Sequence, residues 1–381
     1  MKWKSWLKKI YKYLEYYLWI LPAFILIFLF LIKPSIETIY ISLNEKTKFN
    51  ENEILTEIKK IFNINNEGVY TIIKELPDYD KKLSTVEEVF KLNLKNNEKS
   101  FIQNISIKEL SEYVYIKSNK SIKQKTNFIG MKNYVNLFKD KQMHIVFKNN
   151  LLWLFFFTAI TVFLGLGIAY FVERVKWAEI AKTIIFMPMA ISFVASAIIW
   201  GLMYEKEPSI GTINAFIKMT DIHNLFGIKA FDGFAFLGEP MYVNWAIIVA
   251  GVWMWVGYCM VIFIAALRSV SKEMIEAAQM DGANSLQIFF NIEIPAIRGT
   301  ITVVITVMMI TALKVFDIVY TLTGGGPFGS SEVIANLMYR TAFVEMNFEY
   351  ASSMAVVLFI AIIPIMIFNL RSFIMEEKIR E

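Results

Sequence analysis

Cysteine is almost missing from this chain: Cys259 is the only one among 381 residues. A single thiol excludes an internal disulfide and a cysteine-built metal site. Histidine is nearly as scarce, with only His144 and His223, far apart in sequence. Neither a zinc centre nor a histidine-based catalytic site is expected from so few ligands. Charged residues make up only 19% of the chain, and no Gly-Lys pair occurs. Without G-x-x-x-x-G-K-[ST] there is no phosphate-cradling P-loop, so the chain is not expected to hydrolyse ATP. Heptads, low-complexity runs and short repeats are also lacking.

Apolar residues fill the space. They make up 56% of the chain, with 32 Phe, 19 Met and 9 Trp, and the mean hydropathy is +0.46. Soluble globular domains usually sit near or below half apolar. The net charge of +5 is not a nucleic-acid signal, because the basic residues cluster at membrane flanks and in one polar segment with no aromatic-interleaved basic motif.

A membrane helix needs about 20 mostly apolar residues, and six segments qualify. The first runs from near Leu18 past Ile32 and is interrupted by Lys33-Pro34, with Ile36 to Leu43 as a continuation. The others are Leu151 to Val172, Ile184 to Met203 with a kink expected at Pro188, Trp245 to Leu267, Ile301 to Leu322, and Ala351 to Leu370. The first resembles a signal peptide in its basic start but lacks a small-x-small cleavage site, so it is read as a retained anchor. Lys2, Lys4, Lys8, Lys9 and Lys12 precede the first span. Arg174, Lys176 and Lys182 follow the second, Arg268, Lys272 and Arg298 follow the fourth, and Arg371, Lys378 and Arg380 follow the sixth. With six spans all of these lie on one side, which the positive-inside rule makes the cytoplasm, and both termini fall there.

The lysine-rich stretch after the first span fits this topology, since long loops translocate largely regardless of charge. Its short aliphatic alternations, such as Ile72-Ile73 and Val86 to Leu92, exceed what a disordered tract carries. A small α+β extracytoplasmic insertion is expected over residues 44–127. It follows the leader and first span at 1–43 and precedes a membrane core at 128–381 with a cytoplasmic loop at 268–299.

That cytoplasmic loop carries the densest local signal. Ser271 caps a short helix, with Glu273 in its positively polarised first turn. Ala277 and Ala278 leave one flank small enough for another surface to approach. Asp281-Gly282 break the helix, Asn284 and Gln287 have capping-box spacing for a second helix, and Pro295 precedes the fifth span. Glu276-Ala277-Ala278, Gly282 four residues on, and Ile292-Glu-Ile294-Pro295 closely resemble the EAA motif of ABC-importer permeases, with Ile294 in place of the usual leucine. Lys314 to Pro327, Phe128 to Tyr134 and Leu21-Pro22-Ala23 resemble the carbohydrate-uptake subfamily of maltose-type and glycerol-phosphate-type permeases. The likeness covers nearly the whole chain outside 44–125.

The resemblance implies an all-α polytopic membrane protein of the type I ABC-importer permease fold, with six transmembrane helices. It implies no covalent chemistry, and coupling through Glu276, Ala277, Ala278, Asp281, Gly282, Ala283 and Pro295. The implied partners are a second permease subunit of a different chain, two cytoplasmic ABC ATPases that bind ATP and Mg, an extracytoplasmic solute-binding protein and membrane lipid. Alignment to the maltose-type permease places Trp253, Gly257, Met260, Thr311, Ala312 and Val315 at sugar-contacting positions, although polar residues expected at several of them are absent. The insertion resembles the periplasmic loop of that permease that contacts the sugar-binding protein.

Lys314 and Asp317 are the charges most clearly inside a span. At i and i+3 they are expected to share a helix face and form a pair, because an unpaired charge there costs several kcal/mol. Gly324 to Gly329 satisfies G-x-G-x-x-G but follows a membrane helix rather than a strand, so it is not read as a dinucleotide site. Gly165 and Gly167 are read as helix-packing glycines. The main rival is an ion-coupled secondary transporter, but the broken helices and polar midplane site that such proteins favour are hard to find here beyond Lys314 and Asp317. A membrane receptor is disfavoured because no cytoplasmic output domain is present.

Overall fold

A computed structural model describes residues 20–46, 126–222 and 231–380. The chain divides into two compact units, Met1–Leu43 with Gly130–Glu381, and Asn44–Ile129. The helices are α1 (Ile20–Ser42), α2 (Lys132–Lys139), α3 (Lys141–Val172), α4 (Ala178–Ala190), α5 (Phe193–Met203), α6 (Thr212–Met219), α7 (Val243–Arg268), α8 (Lys272–Met280), α9 (Ser285–Ala296), α10 (Arg298–Leu313), α11 (Asp317–Leu322), α12 (Ile334–Tyr339) and α13 (Phe348–Arg380). In the second unit, β1 (Asn44–Lys46) pairs antiparallel with β2 (Thr126–Phe128), Asn44 opposite Phe128. The expected α+β character of the insertion otherwise concerns residues 47–125, outside the described residues.

Four helices, α1, α3, α7 and α13, are long and apolar enough to cross a membrane, and two bent pairs make up to six spans. The first pair, α4 and α5, meets at 104°. Pro188 sits in the 3₁₀ turn that ends α4, and Ser192 caps α5 by accepting the Ala195 N–H at 3.2 Å. The second pair, α9 and α10, bends by 72° at Ile297. The sequence places one span over Ile301 to Leu322; the structure ends α10 at Leu313 and starts α11 only at Asp317. The intervening Phe316 has left the helical region, and Asp317 opens the new helix at its positive end, where a carboxylate is favoured. α11 then packs on α5.

α7 is the centre of the bundle. A helix apolar on every side must be buried, and its residues Ile247, Ile248, Cys259, Met260 and Phe263 are fully so. It lies along α3, where Trp153 and Phe157 complete the core. A Cβ at Gly165 would come within 2.5 Å of the Cβ of Cys259, so glycine is what permits this close approach. The C-terminal half of α1 packs on α13, while Ile20 to Ile32 remain exposed. Ser42, at the end of α1, is tied to α2: its hydroxyl lies 2.6 Å from the Tyr134 hydroxyl, and Asn133 donates to its carbonyl at 3.0 Å. His144 lies with Nε2 2.8 Å from the Phe138 carbonyl, and no metal-binding cluster occurs among the described residues.

Candidate functional site

The loop between α7 and α10 is closed by its own local bonds. Ser271 Oγ accepts the Met274 N–H at 3.4 Å and donates to the Glu273 carboxylate at 2.5 Å, which holds that carboxyl below its ordinary pKa. At the other end of α8 the Ala283 N–H reaches the Ala278 carbonyl at 2.9 Å, and the Gly282 N–H reaches that of Gln279 at 3.0 Å. These two bonds form a Schellman cap, and Gly282 supplies the left-handed residue it needs, with φ of +84°. Asn284 and Gln287 then exchange bonds of 2.8 and 2.9 Å in a complete capping box at the start of α9.

α8 buries none of its residues. Met274 is 54% and Met280 88% exposed, and Glu276, Ala277, Asp281 and Gly282 are open as well, while Ala278 and Ala283 are half-buried. The motif is thus a capped helix that rests on the core through Ile275, while Met274, Ala277 and Met280 stay open on its outer side. Pro295 lies at the start of the last helical turn of α9, just before the bend at Ile297.

Behind α8 the bonds are long-range. Tyr170 of α3 donates to the Ser285 carbonyl at 3.3 Å and packs its ring, tilted by 49°, with its centroid 4.2 Å from that of Phe289. Arg174 lies 3.5 Å over the Tyr170 ring and reaches the buried Glu293 at 3.4 Å. Arg268, at the end of α7, grips Glu173 with two bonds of 2.7 and 3.1 Å, and Lys182 of α4 adds a third at 2.6 Å. The Arg268 bond, reinforced by Lys182, outweighs burial and holds the Glu173 carboxyl below its ordinary range. Sequence reading uses Arg174, Lys182 and Arg268 only for topology; the available signal is the pair of acids, Glu173 and Glu293, placed beside them at the ends of spans.

A cavity of about 310 Å³ lies between α3, α5, α7 and the α10–α11 break. Thr311, Lys314, Val315 and Asp317 line it, with Trp255 and Phe193 on the facing side. The other residues aligned with sugar contacts lie elsewhere. Met260 and Ala312 are fully buried in the core, Trp253 packs edge-on to Trp200, and Gly257 backs onto α4, where a Cβ would meet the Ile185 carbonyl at 2.5 Å. The expected helical pair is corrected here. Lys314 caps the end of α10 and Asp317 begins α11, both are exposed, and no ion pair joins them.

The segment 323–333, which the sequence marks by a family resemblance up to Pro327 and by a rejected nucleotide-motif match, is built around buried polar groups. Asn149 donates to the carbonyls of Ser330 and Glu332, both at 2.8 Å, and Asn244 donates to Ser330 at 2.8 Å and to Asn149 at 3.2 Å. Asn150 accepts the Ile334 N–H at 2.8 Å. The fully buried Glu332 carboxylate takes Asn336 at 2.5 Å and Arg340 at 2.9 Å. Burial still pushes its pKa up, because desolvation outweighs those two partners. Gly325, at φ +92°, lies against that carboxylate: a Cβ there would come 2.6 Å from Glu332 Oε2.

Residues 161–380 match the family model described as "Binding-protein-dependent transport system inner membrane component". The osmoprotective compounds uptake permease protein GgtC of Synechocystis is 46% identical over 258 residues, 67% of this chain and 88% of that protein. The alpha-glucoside transport system permease protein AglF of Rhizobium meliloti is 42% identical over 65% of this chain and 71% of its own length. Among solved structures, a bacterial ABC transporter that imports the acidic polysaccharide alginate superposes with a TM-score of 0.57 at 22% identity, covering 67% of this chain and 85% of that one. An alginate transporter bound to a pentasaccharide-loaded periplasmic protein gives a TM-score of 0.55 at 24% identity, over 63% of this chain and 81% of that one.

Proposed function

Because the chain belongs to the family of binding-protein-dependent transport system inner membrane components, we propose that it imports a sugar or oligosaccharide as one half of an ATP-driven permease. The observation that carries this reading is α8: a helix capped at both ends by its own residues, with no buried side chain and two exposed methionines. Apart from Ile275, which rests on the core, the helix buries little in its own chain, and its bare outer face fits a cleft on a cytoplasmic ATPase. The relative named for alpha-glucoside transport supports a saccharide substrate, and the one named for osmoprotective compounds supports uptake of a small solute.

In this reading the partners are two cytoplasmic ATPases that hold ATP and Mg, a second permease chain and an extracytoplasmic solute-binding protein. The positive-inside rule puts α8 and both termini in the cytoplasm, and residues 44–127 outside as an insertion that meets the binding protein. Closure of the ATPases displaces α8. The Schellman cap and capping box keep α8 and α9 from flexing, so the displacement reaches Ile297 and α10. The Glu173–Arg268–Lys182 cluster moves the inner ends of α3, α4 and α7 together. Of the aligned path positions, Thr311 and Val315 are the ones proposed to meet substrate, with Lys314, Asp317 and Trp255 beside them. Met260, Ala312, Gly257 and Trp253 act as packing residues in this conformation.

Reconstitution tests the reading. With its ATPases and binding protein in proteoliposomes, the chain should support ATP-dependent uptake of a labelled saccharide, and an ATPase should co-purify in stoichiometric amount. Sodium- or proton-driven uptake by this chain alone would replace the importer with a secondary transporter.

A further inference from the structure

Phe328 is the most exposed large apolar residue among those described, at 96%, and it stands on a loop closed by several hydrogen bonds. Its φ of +52° lies in the left-handed region, where a bulky side chain is rarely found unless surrounding structure enforces it. That enforcement is visible. The Ser330 N–H bonds the Pro327 carbonyl at 2.9 Å, the Ser331 N–H bonds Gly325 at 3.2 Å, and the Glu332 N–H bonds Gly329 at 3.2 Å. Ser331 Oγ donates to Gly326 at 2.5 Å and lies 2.8 Å from Thr323 Oγ1. Below, Asn149 and Asn244 both hold the Ser330 carbonyl. The loop therefore has little freedom, yet its aromatic tip is 96% exposed.

The neighbouring turn adds to this surface. Asn244 fastens the start of α7 to the loop at Ser330, two residues from Phe328. Just ahead of Asn244, Met241 is 75% and Tyr242 48% exposed. Irregular backbone exposed to lipid does not occur within the hydrocarbon, and Phe328 projects from such backbone at 96% exposure, so this rim stands at or above the membrane surface. It lies at the opposite ends of α3, α7 and α10 from α8. Resting on the importer reading, we propose that Phe328, flanked by Met241 and Tyr242, is a preformed anchor on which the sugar-loaded solute-binding protein docks. Protein interfaces concentrate their affinity in aromatic anchors at desolvated centres. An anchor fixed before contact loses little entropy on docking, whereas a ring that only dips into lipid headgroups has no need of a fixed backbone.

The test uses the complete importer in nanodiscs, titrated with saccharide-loaded binding protein while ATPase activity is followed. Phe328→Ala should raise the half-saturating concentration of binding protein about tenfold, and Phe328→Trp should restore it. Phe328 is exposed, so membrane levels of both variants should equal wild type. Unchanged half-saturation in Phe328→Ala overturns the proposal and leaves the ring as a headgroup contact. If the wild-type complex shows no stimulation by any loaded binding protein, the importer reading itself fails and the proposal falls with it.

Discussion

Two loops flank the fifth span, and they are stabilised in opposite ways. The inner one, around α8, is closed mainly by bonds between residues at most five apart, from Ser271 with Met274 to Asn284 with Gln287, with one long-range bond from Tyr170 to the Ser285 carbonyl at its edge. The outer one, 323–333, is held by bonds that cross 86, 181 and 183 residues of sequence, from Asn244 and Asn149. The inner helix buries nothing, while the outer loop encloses a carboxylate. A structure that depends mostly on itself can be moved as a unit; one that depends on two distant helices, α3 and α7, fixes them in place. The inner loop is thus suited to transmit motion and the outer loop to resist it.

Damage should follow the same division. Glu332→Ala takes the acceptor from the buried Asn336 and leaves Arg340 only its 3.6 Å contact with Glu345, and should cost about 2 kcal/mol of stability, as a buried group left unsatisfied does. Glu332→Gln keeps the shape and one of the two acceptor oxygens, and since burial already favours the neutral form it should cost less than the alanine change. Thermal unfolding of the purified complex measures both, and wild-type melting of Glu332→Ala would show that the outer loop is not a structural knot.

The inner loop should lose function while keeping stability. Proline at 282 cannot adopt the +84° φ and removes the Gly282 N–H bond to Gln279. Gly282→Pro and Glu276→Lys should each abolish saccharide-stimulated ATPase activity in protein that remains folded in the membrane. Normal coupling in both would end the contrast between the loops.

A smaller effect is expected at the helix break. Lys314→Ala and Asp317→Ala should add within about 0.5 kcal/mol in a double-mutant cycle, since the two side chains form no pair. A coupling energy well above that would restore the pair expected from their spacing.

The smallest effect concerns Glu173. Its carboxyl is held below the ordinary value in the folded protein, so its contribution is complete above the unfolded carboxylate range and is lost as pH falls through the lowered folded value. Glu173→Gln should therefore narrow the gap to wild type in acid and show its modest full cost near neutrality, read from melting temperatures across pH.

What the sequence disclosed follows the same line. Ser271, Gly282, Asn284 and Gln287 are legible because capping chemistry acts over three to five residues, and the six apolar segments are legible because a bilayer demands them. Pro188 announces the bend it makes. The break at Lys314 to Phe316 is not announced by proline or glycine; it arises because α11 packs on α5, which no local pattern states. Asn149, Asn150 and Asn244 read as ordinary polar residues at span ends until the fold brings Ser330 and Glu332 between them. The Gly324 to Gly329 run matches a nucleotide motif by spacing, while one of its glycines, Gly325, is required by the Glu332 carboxylate.

The central claim, that α8 is a coupling helix seated on an ATPase, can be tested at a single position. Cys259 is buried, so Glu276→Cys introduces the one accessible cysteine among the described residues. In the assembled complex, a short thiol-to-amine crosslinker should join position 276 to the ATPase subunit, with a yield that changes when ATP is added. An assembled complex in which position 276 never crosslinks to the ATPase, while an exposed control such as Phe328→Cys reacts freely with soluble thiol reagents, would contradict the account.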